Sequence, residues 1–437
     1  MIDTDINNKA ILEKEGYKET KLGLIPEDWS VCTFGDIADK KVKWSITGGP
    51  FGSNLKAEHY RDEGIRIIQL QNIGDGEFRD NSKIYTSLDK ADELLACNIF
   101  PGEIILSKMG DPVARACKIP STEKRWVMGS DGIRLVVDES KYDKRFVLDY
   151  INYSIFRNLA ISRSTGSTRR RIGLVDLKKI PFIKLPLTEQ QKIAKILNTW
   201  DKAILAQEKL IAEKQELKNG LMQQLLTGKK RFSGFTEDWK TSKLGDIFTI
   251  QGRVGWKGYK KEDLRDEGPL VIGAKHIKNQ LLNLSDPTHL SLEKYEESPE
   301  IMIKINDLLI VQRGSLGKIA IIENDLGKAT INPSMAILRP KRNDISVKFI
   351  YYFLCSDFSQ KLIMSETGST GVPMISQKQI GTFKMHYPSI QEQDKIVDLM
   401  QEMDKELLSM VSSLQNLNKQ KQGLMQQLLT GEKRVKI

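Results

Sequence analysis

The C-terminal part of the chain carries a regular stripe of apolar residues. Ten positions from 396 to 428, spaced alternately by four and three residues, are apolar at all but Lys421. This spacing predicts a helix whose apolar stripe packs along a second helix in a left-handed coiled coil. The ten residues are Ile396, Met400, Met403, Leu407, Met410, Leu414, Leu417, Lys421, Leu424 and Leu428.

A weaker copy of this stripe lies 203 residues earlier, and seven of its ten positions are apolar. Its two central polar members, Gln207 and Lys214, either fix the register of the helix pair or lie off the stripe. The ten residues are Ile193, Leu197, Trp200, Ile204, Gln207, Ile211, Lys214, Lys218, Leu221 and Leu225.

Local signals at both ends of each stripe agree with two long helices. Each start fits a capping box and each end is followed by a glycine; the residues are Thr188 with Gln191, Ser389 with Glu392, Gly228 and Gly431. Each helix would then hold about 38–40 residues and be roughly 57–60 Å long. Related by a two-fold axis, the helices would pair antiparallel, as a rod with one globular module at each end. The alternative is that each helix packs on its own module.

The rest of the chain is repeated at nearly the same offset. Residues 220–228 return letter for letter at 423–431, and shorter matches keep the same order in both halves. A fixed offset of about half the chain length indicates a duplicated architecture. The segments between these matches diverge strongly, which favours a shared scaffold that carries two different specificities.

Short apolar runs outside the helices predict two mixed α/β (α+β) modules. The strand-like runs are 65–70, 103–107, 133–137, 270–272, 307–311 and 318–322. The predicted organisation is an N-terminal arm (1–15), a first recognition module (16–186), a central helical spacer (187–230), a second recognition module (231–388) and a C-terminal helical spacer (389–437).

Composition narrows the class of protein. Hydrophobic residues make up 40% of the chain, and the net charge of +10 with a pI near 9.1 favours a polyanionic partner such as nucleic acid. No apolar run is long enough to span a bilayer. The N-terminus lacks a signal-peptide pattern, and the four cysteines are widely spaced. We therefore expect a cytoplasmic protein without disulfides, metal site or membrane contact.

Basic, glycine-containing loops are the candidate nucleic-acid contacts. Corresponding loops follow a strand in both halves, at 107–110 and 312–315, and two further glycine-rich stretches occupy 48–56 and 252–261. The densest positive run, 163–184, has a net charge of +6 from seven basic residues and Asp176. Such loops bring Lys and Arg to phosphates or base edges. The candidates are Lys43, Lys56, Lys108, Arg163, Arg169, Arg170, Arg171, Arg253, Trp256, Lys257, Tyr259, Lys275, Arg313 and Lys318.

Recognisable catalytic motifs are missing. The sequence has no phosphate-binding loop of the Gly-x-x-x-x-Gly-Lys-Ser/Thr type and no Asn/Asp-Pro-Pro-aromatic tetrapeptide of amino-methyltransferases. Its four histidines lack ligand spacing. We therefore expect no catalytic residues and no enzyme activity in this chain. Two alternatives remain: a nuclease or methyltransferase that acts alone, and a coiled-coil adaptor that binds protein and not DNA.

The ordered double set of motifs resembles the specificity (S) subunit of type I restriction-modification systems. The residues that carry the resemblance are 23–29, 186–193 and 226–232 with their second-half versions. It implies two target-recognition domains, each of which reads one half of a split, asymmetric site on double-stranded DNA, and helices that set the spacing.

The resemblance also implies the partners and their cofactors. Two methyltransferase (M) subunits would bind S-adenosylmethionine and methylate adenine N6, and two restriction (R) subunits would use ATP and Mg²⁺. The spacer helices would dock the M subunits, with candidate contacts at Ile193, Leu197, Trp200, Leu221, Leu225, Ile396, Met400, Met403, Leu424 and Leu428.

Overall fold

The chain folds into two units that both take residues from the two long helices. The computed structural model describes residues 15–166, 169–253, 258–366 and 372–436. The first unit is assigned residues 1–206 and 415–437, and the second is assigned residues 207–414. Within the described ranges, no helix is both long enough and apolar enough to cross a membrane.

The first unit is built from short strands and four short helices, followed by the first long helix. Its strands are β1 (Tyr17–Thr20), β2 (Gly23–Pro26), β3 (Ser30–Thr33), β4 (Ile46–Gly48), β5 (Tyr60–Arg61), β6 (Ile65–Ile68), β7 (Ile84–Thr86), β8 (Asn98–Ile99), β9 (Ile104–Ser107), β10 (Ala116–Lys118), β11 (Trp126–Met128), β12 (Gly132–Leu135) and β13 (Pro181–Lys184). Its helices are α1 (Leu88–Glu93), α2 (Lys144–Asn152), α3 (Ser154–Ser162), α4 (Leu174–Lys178) and the start of α5 (Leu187–Leu225).

The second unit repeats this plan. Its strands are β14 (Lys240–Lys243), β15 (Phe248–Gly252), β16 (Leu264–Ile272), β17 (Ile277–Lys278), β18 (Leu281–Leu282), β19 (His289–Leu290), β20 (Leu308–Val311), β21 (Ile319–Ile321), β22 (Ala329–Ile331), β23 (Met335–Pro340) and β24 (Lys384–Tyr387). Its helices are α6 (Leu244–Ile247), α7 (Leu292–Glu296), α8 (Val347–Cys355), α9 (Asp357–Ser365), α10 (Gln377–Thr382) and most of α11 (Ile390–Leu429). Short 3-10 turns occur in both units, at Phe34–Ile37, Ala57–His59, Leu70–Asn72, Leu95–Cys97, Lys261–Asp263, Ala274–His276 and Pro299–Ile301.

Corresponding sheets have the same strand order in both units. An antiparallel four-stranded sheet has the order β10-β9-β12-β4 in the first unit and β21-β20-β23-β15 in the second. A second sheet in each unit contains one parallel pair, β6 with β11 or β16 with β22. The predicted mixed α/β class and the internal repeat are therefore both confirmed.

The central strands are buried on both faces because each of them separates two cores. In β9, Ile104 and Leu106 face a core with the helices, and Ile105 faces the second sheet. Strand β20 does the same with Leu308 and Ile310 on one side and Leu309 and Val311 on the other. Side chains alternate along a strand, so two cores require an unbroken apolar run.

The two apolar stripes face inward, as predicted. All twenty stripe residues are buried or half-buried, including Gln207 and Lys214. The interpretation that these two residues lie off the stripe is therefore wrong, because both contact α11. Gln207 donates a hydrogen bond to the Met410 carbonyl at 3.1 Å, and Lys214 forms an ion pair with Glu406 at 2.6 Å.

The contacts in the second unit run antiparallel. Residues 207, 214 and 218 of α5 contact residues 410, 406 and 404 of α11, in opposite sequence order. In the first unit, Lys421 of α11 contacts Asp201 of α5 at 2.5 Å. Each helix therefore contributes residues to both units. The alternative, in which each helix packs only on its own module, does not describe this arrangement. A coiled coil remains a prediction.

Two buried glutamates explain why the same short motifs recur in the same order in both halves of the chain. Glu189 and Glu392 are fully buried near the starts of α5 and α11. Arg434 lies 2.7 Å from Glu189, and Arg231 lies 2.7 Å from Glu392, each from the segment that follows the end of the other helix. A charge is stable in such a position only when it is paired and hydrogen-bonded. Both carboxylate oxygens of Glu392 accept hydrogen bonds from Arg231. The side chain of Glu392 therefore pairs with an arginine, whereas the sequence predicted that it forms a capping box with Ser389.

The neighbouring glutamines make a second repeated contact. The side-chain oxygen of Gln190 accepts from the Asp143 amide at 2.9 Å, and that of Gln393 accepts from the Ser346 amide at 2.8 Å. Asp143 and Ser346 cap the starts of α2 and α8. The shared Glu-Gln motif thus joins each long helix to its module.

Candidate nucleic-acid interface

In the first unit, the candidate loops meet at one edge of the four-stranded sheet. Strand register places Ser107 opposite Gly132, and Ile133 opposite both Leu106 and Gly48. The ends of β4 and β9 therefore lie beside the start of β12. The loops that follow β4 and β9, and the turn that precedes β12, are brought together at this edge.

The glycine-rich stretch after β4 reflects a close approach of two backbones. The Gly49 amide donates to the Gly132 carbonyl at 2.7 Å. A Cβ atom at residue 49 would lie 1.8 Å from the Gly129 carbonyl oxygen, so a side chain there would clash. Gly49 therefore lets the loop pack closely against the edge, which a residue with a side chain could not do.

The basic segment before α4 joins the same edge through a short backbone bridge. Met109 lies opposite Arg171. The Gly110 amide donates to the Arg170 carbonyl at 3.0 Å, and the Ile172 amide donates to the Lys108 carbonyl at 3.0 Å. We call residues 108–110 with 170–172 the first reading bridge. The bridge places Lys108 beside the Arg triplet, a contact that the sequence alone did not predict.

The side chains of the first reading bridge differ in how far they are fixed. Arg171 donates to the Asp131 carboxylate at 2.8 Å, whereas Arg169 and Arg170 are exposed. Asp131 is itself tied to the bridge, because the Lys108 amide donates to its carbonyl at 2.6 Å. Asp131 was missed from the sequence, since only the fold brings an acidic residue 40 positions away into contact with Arg171.

The second unit has the same bridge with other side chains. Arg313 lies opposite Met374, the Gly314 amide donates to the Pro373 carbonyl at 2.9 Å, and the Ile375 amide donates to the Gln312 carbonyl at 2.9 Å. We call residues 312–314 with 373–375 the second reading bridge. The Gln312 amide donates to the Ser334 carbonyl at 2.9 Å, so Ser334 occupies the position that Asp131 has in the first unit. One backbone frame therefore presents two sets of side chains.

The other basic candidates are tied to neighbours in their own unit. Arg163 donates to the Leu159 carbonyl at 3.2 Å, Lys275 pairs with Asp286 at 2.8 Å, and Lys318 donates to the Ala274 carbonyl at 3.2 Å. Lys43 is exposed with its ammonium 4.2 Å from the centre of the Trp44 ring, and Lys56 is exposed 3.7 Å from Glu58. The contacts of the exposed Lys43, Lys56 and Lys275 are weak and leave their charges available to a polyanion, whereas Arg163 and Lys318 are half-buried.

Arg253 does not fit the predicted role. Its side chain is 6% exposed and donates to Thr330 Oγ1 at 3.2 Å and to the Ile331 carbonyl at 3.3 Å. Tyr259 is half-buried beside it, with the guanidinium 5.5 Å from the ring centre, and burial raises the pKa of its hydroxyl. Arg253 is thus a structural residue, because a buried group of this kind cannot reach DNA. Trp256 and Lys257 lie outside the described residues.

Nine of the ten helix residues predicted to dock a partner are used inside the chain. Those in the two cores or packed against them are Ile193, Leu197, Leu424 and Leu428 in the first unit, and Leu221, Leu225, Ile396, Met400 and Met403 in the second. Trp200 is half-buried. Docking by the nine side chains in or against the cores is therefore corrected, because they stabilise the helices on the modules; docking by Trp200 stays a prediction.

Exposed apolar side chains at the sheet edges were also missed. Phe51 is 83% exposed in the loop after β4, and Val372 and Met374 are 62% and 55% exposed at the second reading bridge. The only sequence signal for Phe51 was an aromatic residue between glycines. Met374 could have been found by aligning it with Arg171 through the 203-residue offset.

Comparison with known proteins gives one consistent family. The family model of the type I restriction modification DNA specificity domain matches residues 26–218 and 236–418. The MjaVIII specificity subunit of a type I restriction enzyme from Methanocaldococcus jannaschii is 24% identical, over 97% of each chain. The EcoBI specificity subunit from Escherichia coli is 22% identical, over 87% of this chain and 80% of its own.

Solved structures agree on the fold. A chain from a study of complex assembly and conformational transition of the type I R-M system has a TM-score of 0.61 at 14% identity, over 94% of this chain and 99% of its own. The S subunit of a type I restriction-modification system from M. genitalium has a TM-score of 0.50 at 21% identity, over 92% and 96%. Both family-model matches together span most of the sequence. The chain therefore belongs to the type I restriction-modification DNA specificity family, whose members are the non-catalytic DNA-recognition components of these systems.

Proposed function

We propose that each unit reads one half of a bipartite DNA site through its reading bridge and the loops beside it. The observation that carries this proposal is the repeated backbone frame: equivalent hydrogen bonds hold Lys108 and Gln312, and Asp131 and Ser334, at equivalent places. Different side chains on one frame are suited to different bases. The two half-sites should therefore differ, and the whole site should not be a palindrome.

Charge supports DNA as the target of this edge. The exposed Arg169 and Arg170 lie on the segment that forms the first reading bridge, and the chain carries a net charge of +10. Phosphate contacts position a protein on the duplex, and base contacts specify the sequence. A protein that acts on chromosomal DNA in this way would work in the cytoplasm.

The long helices would set the distance between the half-sites. Helices α5 and α11 contain 39 and 40 residues, which corresponds to roughly 58–60 Å. Since one turn of DNA rises roughly 34–36 Å, this length suits two readers more than one turn apart.

The exposed faces of the same helices would dock the methyltransferase subunits. Leucines that the two cores do not use are exposed on both helices, at Leu205, Leu210 and Leu217 of α5 and Leu408 of α11. The M subunits would bring S-adenosylmethionine, and the restriction subunits would bring ATP and Mg²⁺. In this assignment the chain directs adenine methylation and restriction without performing either reaction.

Methylation mapping tests the proposal directly. The chain would be co-expressed with a cognate methyltransferase subunit in a host without DNA methylation, and the DNA sequenced for N6-methyladenine. We expect an asymmetric motif in two parts with a fixed gap. A continuous or palindromic motif would contradict two unlike readers. If nothing is methylated, a gel shift with the purified complex at moderate salt decides whether DNA is bound at all.

A further inference from the structure

The two reading bridges carry the same pair of residues in exchanged positions. In the first bridge, methionine is on the strand that extends β9 and arginine is opposite: Met109 faces Arg171. In the second bridge, arginine is on the strand that extends β20 and methionine is opposite: Arg313 faces Met374. The equivalence does not depend on sequence alignment, since the backbone hydrogen bonds of residues 108 and 110 recur at residues 312 and 314.

Both arginines are placed where a ligand could reach them. Arg171 is 46% exposed, and Arg313, which lies two residues beyond the end of the buried strand β20, is exposed. The backbone bridge holds each arginine more firmly than a free loop would, and functional groups are more precise on rigid elements. The methionine opposite Arg313 is also largely exposed. Met109, opposite Arg171, is half-buried. Each bridge therefore places one guanidinium group opposite one apolar side chain, and the apolar side chain is more exposed in the second bridge.

This pair of side chains matches the chemistry of base edges in the major groove. A guanidinium donates two parallel hydrogen bonds to O6 and N7 of guanine, and apolar groups contact the methyl group of thymine. A contact to phosphate would need only the charge. The apolar member of the pair thus favours a base edge over the backbone as the ligand.

The acidic neighbour distinguishes the two arginines. Asp131 accepts from Arg171 Nη2 at 2.8 Å, which limits the orientations of the fork and leaves its other donors free to point outward. Ser334 occupies the equivalent place in the second unit, where no carboxylate is supplied from that position. Asp131 is therefore a positioning residue for Arg171, whereas Arg313 is placed by the backbone contacts of the second reading bridge.

We propose that Arg171 and Arg313 each read a guanine in their respective half-sites, from opposite sides of two equivalent bridges, with Met109 and Met374 against the neighbouring base. The inference rests on the proposed function, because it assumes that each unit reads a half-site. It goes further by assigning the reader and the base. Because arginine and methionine exchange sides between the two bridges, the guanine would lie at a different position in each half-site.

The test compares methylation motifs and DNA affinities of variants in the complex with a methyltransferase subunit. For Arg313→Lys, we expect the guanine preference in one half-site to fall by roughly 5- to 150-fold, the range for one bidentate contact, while the other half-site and the gap stay unchanged. Lysine keeps the charge but loses the fork, so a phosphate contact would leave the motif intact. Arg171→Lys should relax the other half-site, and Asp131→Asn should relax the same position less.

A double variant and a matched control complete the experiment. Arg313→Met together with Met374→Arg gives the second bridge the order of the first, and we expect the preferred guanine to move to another position in that half-site. Arg342→Lys is the control, because Arg342 is a comparably exposed arginine of the same unit that pairs with Asp344 at 2.5 Å. Its motif should equal that of the parent chain.

The outcomes separate the inference from the function on which it rests. A two-part motif for the parent chain that Arg171→Lys and Arg313→Lys leave unchanged overturns the inference and leaves the proposed function standing. A uniform loss of affinity for all sequences also overturns it, since that result indicates phosphate contacts. A parent complex that binds DNA without any two-part preference overturns both.

Discussion

At the scale of single residues, the two buried glutamates explain why both halves keep the same short motifs. Glu189 accepts from Trp29 Nε1 at 3.0 Å and from Arg434, so three segments far apart in the sequence meet at one carboxylate. Arg434 also pairs with Asp28 at 2.7 Å. The shared motifs therefore serve the fold, and in the proposed function base recognition is left to residues that differ between the halves.

Glu189→Gln should destabilise the first unit. The amide loses the ion pair with Arg434 while Asp28 still holds that arginine, so we expect a loss of about 1–3 kcal/mol in the free energy of unfolding. Denaturant unfolding of the purified chain measures it. Glu216→Gln is the control, because Glu216 is exposed on the same helix. Equal stability of the two variants would contradict the assigned role of Glu189.

Asp28 should contribute to stability in a manner that depends on pH. The hydrogen bond from Arg434 lowers the pKa of the Asp28 carboxyl. A lowered folded-state pKa means that the contribution is complete above the unfolded value of about 3.9 and is lost as the pH falls through the folded value.

Asp28→Asn removes this titration, so its melting temperature should fall less steeply than that of the parent chain below about pH 4. Thermal melts at a series of pH values measure the difference. Parallel curves for the two proteins would show that Arg434 does not shift the pKa of Asp28.

At the scale of elements, the polar positions of the two stripes are paired in the same way in both units. Lys218 contacts Asp404 in the second unit, and Lys421 contacts Asp201 in the first, with both members of each pair related by 203 positions. A polar residue on an apolar stripe reduces stability but fixes the register of two helices. These pairs, with Gln207 and Lys214, therefore favour one alignment of α5 and α11.

Deletion of one heptad from both helices should shorten the gap between the half-sites. Removing 205–211 from α5 and 409–415 from α11 leaves the Lys214–Glu406 and Lys421–Asp201 pairs aligned. A heptad spans about 10 Å of helix, which equals about three base pairs of DNA. Methylation mapping gives the new gap.

The single deletion of 205–211 serves as the control for that experiment. It moves Lys214 and Lys218 out of line with their partners on α11, so we expect a less stable protein and not a shorter gap. If the double deletion retains the original gap, the helices do not act as a ruler.

At the scale of the whole molecule, duplication supplies two equivalent frames and divergence supplies two sets of side chains. Sheets, parallel strand pairs and backbone bridges correspond between the units, but the basic triplet at Arg169–Arg171 occurs only in the first. Under the proposed function, a change in one set of side chains would alter one half of the DNA site and leave the other half unchanged.

The arginine triplet should give the first unit the larger share of phosphate contacts. Arg169→Gln and Arg170→Gln should each reduce the slope of log affinity against log salt concentration by about 1, with little change in sequence preference. Fluorescence anisotropy with a cognate duplex at several salt concentrations measures the slope. Lys209→Gln removes an equally exposed charge from α5 and should leave the slope unchanged.

The sequence by itself determined the repeat, the class of fold and the long helices. Predicted spacers began at 187 and 389, and the helices begin at Leu187 and Ile390. The predicted runs 103–107 and 307–311 became β9 and β20 with a change of one residue. These features are local or periodic, so the order of apolar and polar residues is sufficient to specify them.

Only the tertiary structure decided which polar residues are exposed at the sheet edges and which support the fold. Arg253 and Arg313 are both basic residues after a strand, yet one is buried and the other is exposed. The pairing of Arg171 with Asp131, and the exchange of arginine and methionine between the bridges, join residues about 40 to 62 positions apart. Such contacts depend on how strands and loops are brought together in space, and the sequence pattern carries no record of that arrangement.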